Sequence, residues 1–359
     1  MKVKALICPL DWGIGHATRC VPVILKLNEL GFEVVVAASG RPLEFFRKEF
    51  PGIQYIDFPG VQIHYPKNNR IAIHLFKRLP GFLYSIWQEH RTLKKIAAQS
   101  GATLIISDNR YGCWLPQVTS VFITHQLNIQ VPRKLRFIGR LINSINYRFI
   151  NRYDTCWVPD FEPHKGLAGA LSHPVQLPSN AKHIGILSRF SKRPYSSPIS
   201  VQPEFDLLVM LSGPEPQRTI LEEKILHQLV SINMQVAMVR GMPESDEAHV
   251  LDNRIHIFSH LDTAKLNDLI NRSALVICRS GYSSIMDMVT LGKKAIFIPT
   301  PGQTEQEYLS HYLMEKKIYF SMRQDDFDLL YAIEMSKNFP GMVIQNNYKV
   351  LEEEIKALM

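Results

Sequence analysis

Short, continuous apolar runs alternate with longer amphipathic stretches along this 359-residue chain. "VKALICPL" (3–10) enters a glycine turn, "ATRCVPVILKLNELG" (17–31) has the apolar spacing of a helix ending at Gly31, and "FEVVVAASG" (32–40) is the next strand. "ATLIISD" and "SVFITH" are further strands, ending at Asp108 and His125. Runs that are apolar throughout suit a parallel sheet covered by helices on both faces. Polar residues then collect at the strand ends, the rim where open α/β sheets hold ligands.

The same rhythm returns after a break. "GILSRFSKRPYSSPISVQP" (185–203) has three prolines, one of them in a Ser-Pro step, and little apolar periodicity, as a linker does. A second sheet follows in "FDLLVMLSGPEPQ", "MQVAMVRG", "RIHIF" and "SALVICRSGYSSIMDMVTLGKKAIFIPTPGQTEQEYLS". The expected plan is a Rossmann-like domain at 1–185, a linker at 186–203, a second Rossmann-like domain at 204–340, and a tail at 341–359. The tail's amphipathic "YKVLEEEIKALM" either caps the second domain or crosses back to the first. Two such domains would face an interdomain cleft, the expected place for a site.

Composition narrows the class. A hydrophobic content of 46% supports a large core and sets disorder aside. Five cysteines lack C-x-x-C spacing, which argues against a zinc framework or a disulfide scaffold and favours a reducing cytoplasm. The opening apolar run is too short for a signal peptide, and no run reaches the roughly 20 residues of a spanning helix. Charge is divided unevenly: residues 1–193 carry 26 Lys and Arg against 11 Asp and Glu, and residues 194–359 carry 15 against 22. A basic half suits an anionic partner. No compact basic and aromatic motif points to nucleic acid.

The glycine turn "GIGHATR" (13–19) fails two familiar patterns. The third glycine of a dinucleotide fingerprint is missing, and no G-K-[ST] follows as in a P-loop. What remains is a tight turn in which Gly15 admits a ligand and His16 opens a helix, placed for base chemistry or, alternatively, for capping alone. On the same rim stand Asp108, Asn109 and Arg110 of "SDNRYG", with His125 and Gln126 of "THQL", as acceptor contacts or local turn partners. Asp108 is a second candidate base.

In the second half, Ser212, Gly213 and Arg218 in "SGPEPQRT" suit a phosphate at a helix end. "CRSGYSSIMD" places Arg279, Ser280, Gly281, Ser283 and Ser284 at a strand-to-helix turn able to hold a diphosphate, with Asp287 one turn on for sugar hydroxyls or as an ordinary helix acid. Gln303, Gln306 and Glu307 open the next helix with amide and carboxylate groups suited to hydroxylated ligands. "DFD" (326–328) introduces a helix, where capping accounts for it without a metal.

The pairing of "GIGHATR" with "RSGYSSIMD…GKKAIFIPTPGQTEQEYLS" resembles the GT-B glycosyltransferases, especially the bacterial peptidoglycan N-acetylglucosaminyltransferase and related predicted transferases with a D-N-R-Y-G segment. The resemblance implies an α/β GT-B fold and a UDP-sugar cosubstrate; no permanently bound cofactor is expected, and the lack of a rim carboxylate pair argues against a metal. It sets Arg279 to Ser284 against the diphosphate, Asp287 in place of the usual ribose-contacting glutamate, the backbone of Phe258 and Ser259 at uracil, and Gln306 near the donor sugar. Glu307 stands where a second glutamine is common. His16 corresponds to the loop histidine near the transferring centre.

The expected reaction carries a sugar to a hydroxyl acceptor, lipid-linked in one version. Residues 131–153 hold six Arg and Lys and no acid among apolar positions, as a helix on an anionic bilayer would, or as a core helix with a wet basic face. The expected location is the cytoplasm, and the first of these alternatives would set the protein peripherally at the inner face of the membrane. A UDP-sugar hydrolase and a non-catalytic sugar-nucleotide sensor are the competing readings. The residues leave the donor sugar, the acceptor, the stereochemistry and the oligomeric state open.

Overall fold

The computed structural model describes residues 3–60, 71–130, 136–162, 166–190, 203–345 and 348–359. The chain divides into two compact units, residues 1–12, 16–187 and 346–359 in the first and residues 13–15 and 188–345 in the second. Most of the stretch read as a linker, residues 191–202, lies outside the described residues.

The first unit contains, in chain order, β1 (Lys4–Pro9), α1 (Ile14–Glu29, whose first two residues group with the second unit), β2 (Glu33–Ala38), α2 (Gly40–Glu49) and β3 (Gln54–Asp57). It continues with α3 (Ile71–Ser100), β4 (Leu104–Asp108), β5 (Thr119–Ile123), α4 (Arg136–Ile150), β6 (Thr155–Val158) and β7 (Ala181–His183). Its sheet runs β3-β2-β1-β4-β5-β6-β7 and is parallel throughout. The apolar runs are strands because both of their faces are covered: Ala5 to Cys8 of β1 and Val35 to Ala38 of β2 have no exposed surface. The turn after α1 uses Gly31 at φ 84°, a conformation that costs glycine no Cβ clash.

The second unit holds β8 (Phe205–Met210), α5 (Gln217–Leu229), β9 (Val236–Val239), β10 (Ala248–Leu251), β11 (Ile255–Phe258) and α6 (Thr263–Asn271). Then come β12 (Ser273–Cys278), α7 (Tyr282–Leu291), β13 (Ala295–Phe297), α8 (Thr304–Glu315), β14 (Phe320–Ser321) and α9 (Leu329–Ser336). The order is β10-β11-β9-β8-β12-β13-β14, with only β10 antiparallel to its neighbour. Asp328 caps α9 through its side chain, which accepts from the Tyr331 backbone N–H at 2.8 Å.

The last helix, α10 (Lys349–Lys356), belongs to the first unit. It buries Leu351 and Ile355 there, and Glu352 accepts from Lys26 of α1 at 2.8 Å. Lys182 of β7 bonds Glu354 in the same way. Two apolar residues four apart make one buried stripe, which explains the amphipathic pattern of the tail. Leu351→Ala should cost about 2–5 kcal/mol, the usual range for such a truncation, read as earlier melting of the first unit.

Both sheets have a topological switch point, where strand order reverses and the carboxyl ends leave a crevice. In the first it falls between β1 and β4, and in the second between β8 and β12.

Candidate functional site

His16 and Arg19 stand one turn apart on α1, and Asp108 ends β4, so the three flank the first switch point. The His16 Nδ1 lies 2.6 Å from Asp108 Oδ1. Arg19 forks onto the same carboxylate, Nε to Oδ2 and Nη2 to Oδ1. Its Nη1 faces His125 Nδ1 at 3.2 Å. Asp108 has no exposed surface, Arg19 and His125 are each 2% exposed, and the His16 side chain keeps 21%. Burial alone would raise the Asp108 pKa, but the charges and hydrogen bonds of Arg19 and His16 outweigh it and hold the pKa below the ordinary carboxylate value. Asp108 is therefore an ionised acceptor at neutral pH, and His16 is the partly exposed member of the pair.

The structure thus gathers three of the expected residues, His16, Asp108 and His125. The neighbouring candidates are placed differently. Asn109 adopts a left-handed backbone at φ 58°, and its buried Oδ1 has no hydrogen-bond partner among the described residues. The Gln126 N–H donates to Thr124 Oγ1, and its carbonyl accepts from Asn146. Arg110, expected on the acceptor side, is 1% exposed and held inside the unit. It pairs with Glu89 at 2.7 Å, donates to the Phe58 carbonyl at 2.9 Å, and stacks 3.8 Å from the Phe58 ring centroid.

At the second switch point, Ser212 and Gly213 follow β8, and Gly213 takes φ 102°, where a side chain would be strained. Ser280 to Ser284 follow β12 and open α7, whose first turn presents backbone N–H groups outside the helix ladder. Ser280 is buried and donates to the Gln306 carbonyl at 2.9 Å. The Ser283 hydroxyl donates to the Gly15 carbonyl at 2.7 Å, within the second unit as the chain divides. Gln306 Oε1 accepts from the Thr300 N–H, and Glu307 accepts from the Gly302 N–H. Both side chains thereby fix the turn before α8, and the Gln303 side chain accepts no backbone N–H as a cap there but accepts from Gln306 Nε2.

Three charged residues carry more structure than the sequence suggests. Arg218 forks between Glu215 at 2.6 Å and Glu222 at 2.7 Å, which already neutralise it. Arg279 points inward, donating to the carbonyls of Gln217 and Ile298 and to the Gln324 side chain. Burial lowers its pKa to about 10, so it remains a cation, and its acceptors among the described residues are neutral. The Phe258 and Ser259 carbonyls are engaged at the end of β11 and just past it: Phe258 accepts from Arg240 N–H, and Ser259 from Met242 N–H.

Asp287 is buried and accepts from Ser188 at 2.6 Å. Arg189 approaches its other oxygen at 4.0 Å, too far for a hydrogen bond. Burial therefore wins over the cation and pushes the pKa up to about 6. An acid so raised is favourable to folding while protonated, and that stability is lost as pH climbs from the ordinary carboxylate range through about 6. Two pKa units correspond to about 3 kcal/mol near pH 7. Asp287→Asn should therefore melt later than the parent at neutral pH, and the gap should close below about pH 4. A gap independent of pH in melting curves across that range would contradict this.

Ser188 and Arg189 sit in sequence read as linker, and nothing in their local pattern marks them as partners of Asp287. Arg19 does carry a signal: three residues after His16, it falls on the same helix face. Among the described residues no group of three or more His, Cys, Asp or Glu is arranged to hold a metal ion. The five cysteines are free and buried.

Residues 215–335 match the model of the glycosyltransferase family 28 C-terminal domain. No curated protein matches the sequence. Solved structures match along nearly the whole chain. MurG of Acinetobacter baumannii is 12% identical with a TM-score of 0.53, covering 99% of this chain and 94% of its own. The spinosyn rhamnosyltransferase SpnG is 13% identical with a TM-score of 0.62, covering 99% of this chain and 100% of its own. The glycosyltransferase SnogD from Streptomyces nogalater is 13% identical with a TM-score of 0.59, covering 100% of both chains. The chain has a GT-B fold of two Rossmann-like parallel-sheet domains, and it resembles MurG and other GT-B glycosyltransferases.

Proposed function

We propose that this chain is a glycosyltransferase that moves a sugar from a UDP-sugar to a hydroxyl acceptor, with His16 as the general base. The carrying observation is the His16–Asp108 pair at the first switch point, 2.6 Å apart with Asp108 fully buried. An ionised carboxylate on Nδ1 holds the ring proton there and leaves Nε2 to take the acceptor's proton. Attack by the hydroxyl oxygen on the anomeric carbon forms the new glycosidic bond and breaks the bond to the diphosphate, which leaves with the electron pair.

The donor half of the reading rests on the second unit. The turn from Ser280 to Ser284 and the opening of α7 offer donors and a positive dipole end to the leaving diphosphate, a metal-independent means of meeting its charge. Support for a nucleotide diphosphate comes from the family 28 match over this region and from a related structure, SpnG complexed with thymidine diphosphate (12% identity, TM-score 0.60). Uracil in place of thymine, and Asp287 at the ribose, are carried over from the resemblance.

An anionic membrane and a lipid-linked acceptor complete the proposal. Of the basic stretch 131–153, residues 131–135 lie outside the described residues, while α4 exposes Arg140, Leu141 and Arg148. On α3, Leu83, Tyr84 and Trp87 are 43%, 58% and 50% exposed, Tyr84 stacks on Trp87, and Arg91 lies over the Trp87 ring. Aromatic and aliphatic side chains beside arginines suit a headgroup boundary. No helix among the described residues is long and apolar enough to cross a membrane. The contact in this proposal is peripheral, at the cytoplasmic face. Replacing Tyr84 and Trp87 together with alanine should weaken binding to vesicles containing anionic lipid by about tenfold or more, at roughly 1.4 kcal/mol per tenfold. Equal cosedimentation of parent and variant would remove α3 from the contact.

Mass spectrometry of reactions with a panel of UDP-sugars and a membrane-lipid extract, beside a water-only control, tests the function. A new glycosylated lipid made by the parent supports transfer. Free sugar without glycosylated product supports hydrolysis, and UDP binding without turnover across the panel supports a sensor.

A further inference from the structure

Asp108 is surrounded by donors. His16 and Arg19 reach it from α1, and the Cys20 thiol points at Oδ2 from 3.8 Å. Burial holds the Cys20 pKa well above its ordinary value, so it stays a thiol. Beyond Arg19 lies His125, two residues past the end of β5. These groups come from three elements and form one buried network with only His16 reaching the surface.

Hydrogen-bond chemistry then dictates where the ring protons sit. A guanidinium has five N–H donors and no acceptor. Where Arg19 Nη1 faces His125 Nδ1 at 3.2 Å, that ring nitrogen must therefore accept. An ionised carboxylate is acceptor only, so His16 Nδ1, 2.6 Å from Asp108, must donate. Arg19 Nη2 also lies 3.0 Å from His16 Nδ1, but a protonated ring nitrogen has no lone pair to receive it. Toward His16, then, Arg19 acts as a positive charge rather than as a hydrogen-bond donor.

We infer that Arg19 is a positioning residue that sets two histidines in opposite tautomers: it keeps Asp108 as the acceptor for His16 Nδ1–H, and it donates to His125 Nδ1, leaving that ring's proton on Nε2. The inference deepens the reading of His16 as base. With Arg19 present, His16 Nε2 carries a lone pair. Without it, a fully buried Asp108 loses its fixed counter-charge and takes up a proton, becoming a donor. His16 Nδ1 would then accept, its proton would move to Nε2, and the ring could no longer receive a proton from a hydroxyl.

The test needs neither donor nor acceptor, so its failure is distinct from failure of the sugar-transfer reading. Long-range 1H–15N correlation spectra of the full chain, labelled at the imidazole nitrogens, report the tautomer of each histidine at about pH 8, where an unperturbed ring is neutral. His16→Gln and His125→Gln assign the two signals. The parent should show a protonated Nδ1 for His16 and a protonated Nε2 for His125. Arg19→Gln should move the His16 proton to Nε2, whereas Arg19→Lys, which keeps the charge, should retain it on Nδ1. In turnover, Arg19→Gln should lose about 10²-fold in kcat, with Arg19→Lys recovering most of it. Parent rings with the reverse tautomers would overturn the inference, as would a folded Arg19→Gln variant with unchanged tautomers. Should Arg19→Gln not fold, the parent and Arg19→Lys spectra still decide.

Discussion

Replacing His16 with alanine should lower kcat by about 10²–10⁴-fold, the range for loss of a positioned general base, while leaving UDP affinity within about twofold. The two parameters separate because His16 faces the acceptor proton in the proposed reaction and makes no contact assigned to the nucleotide. The side chain is 21% exposed and bonds the buried Asp108, so its truncation should also cost about 1–3 kcal/mol of stability. Asp108→Asn should lose a comparable amount in kcat by a different route. An amide in that position can offer N–H to the ring, which removes the preference for a proton on Nδ1. Steady-state kinetics beside a UDP titration checks both. A His16→Ala enzyme with parental kcat would remove it from proton transfer.

Breaking the buried Glu89–Arg110 pair should have the largest effect on stability. Glu89 on α3 accepts from Arg110 Nε at 2.7 Å and from the Gly112 N–H at 2.9 Å, and its side chain is 6% exposed. Glu89→Ala leaves the Arg110 cation buried without a carboxylate, which typically costs about 3–5 kcal/mol. For a unit of this size that corresponds to a fall of roughly 6–20 °C in melting temperature. Replacing both residues with leucine should recover much of the loss, because no uncompensated charge remains. Thermal melting of the parent, the single variant and the double variant distinguishes a pair interaction from loss of packing. A single variant that melts with the parent would show that Arg110 finds other compensation.

Strands such as β1, β2, β4, β5 and β12 were legible because their apolar runs are largely buried, and pattern reports burial, whereas the parallel strands β3, β6 and β14, two to four residues long, were not read. Nor was the antiparallel edge strand β10: Ala248 to Leu251 are all exposed, so no apolar run marks them. Its turn did leave a trace, since Asp252 and Asn253 both adopt positive φ, as tight hairpins require. β7 is three residues long and leaves no pattern at all.

At the candidate site, "GIGHATR" and "SDNRYG" could be singled out because each follows an apolar strand. That β1 and β4 are neighbours, and so bring His16 to Asp108, is a matter of strand order that no local pattern encodes. The same limit hid what the charged residues do. Arg110, Arg218 and Arg279 all stand at rim turns in the sequence, yet their guanidinium groups are held by Glu89, by Glu215 and Glu222, and by backbone carbonyls. A side chain of that length can turn inward or outward from one backbone position, and long-range partners decide which. Asp287 is a further case, because its partners Ser188 and Arg189 lie 99 and 98 positions earlier, in a stretch whose composition reads as linker.

The most direct test of sugar transfer is the ratio of UDP released to sugar found on the acceptor, measured in one reaction for the parent and for His16→Ala. One sugar joined to an acceptor hydroxyl for each UDP released, with both rates falling together in the variant, is the expected result. UDP released with the sugar recovered free, at a rate indifferent to acceptor, would contradict it.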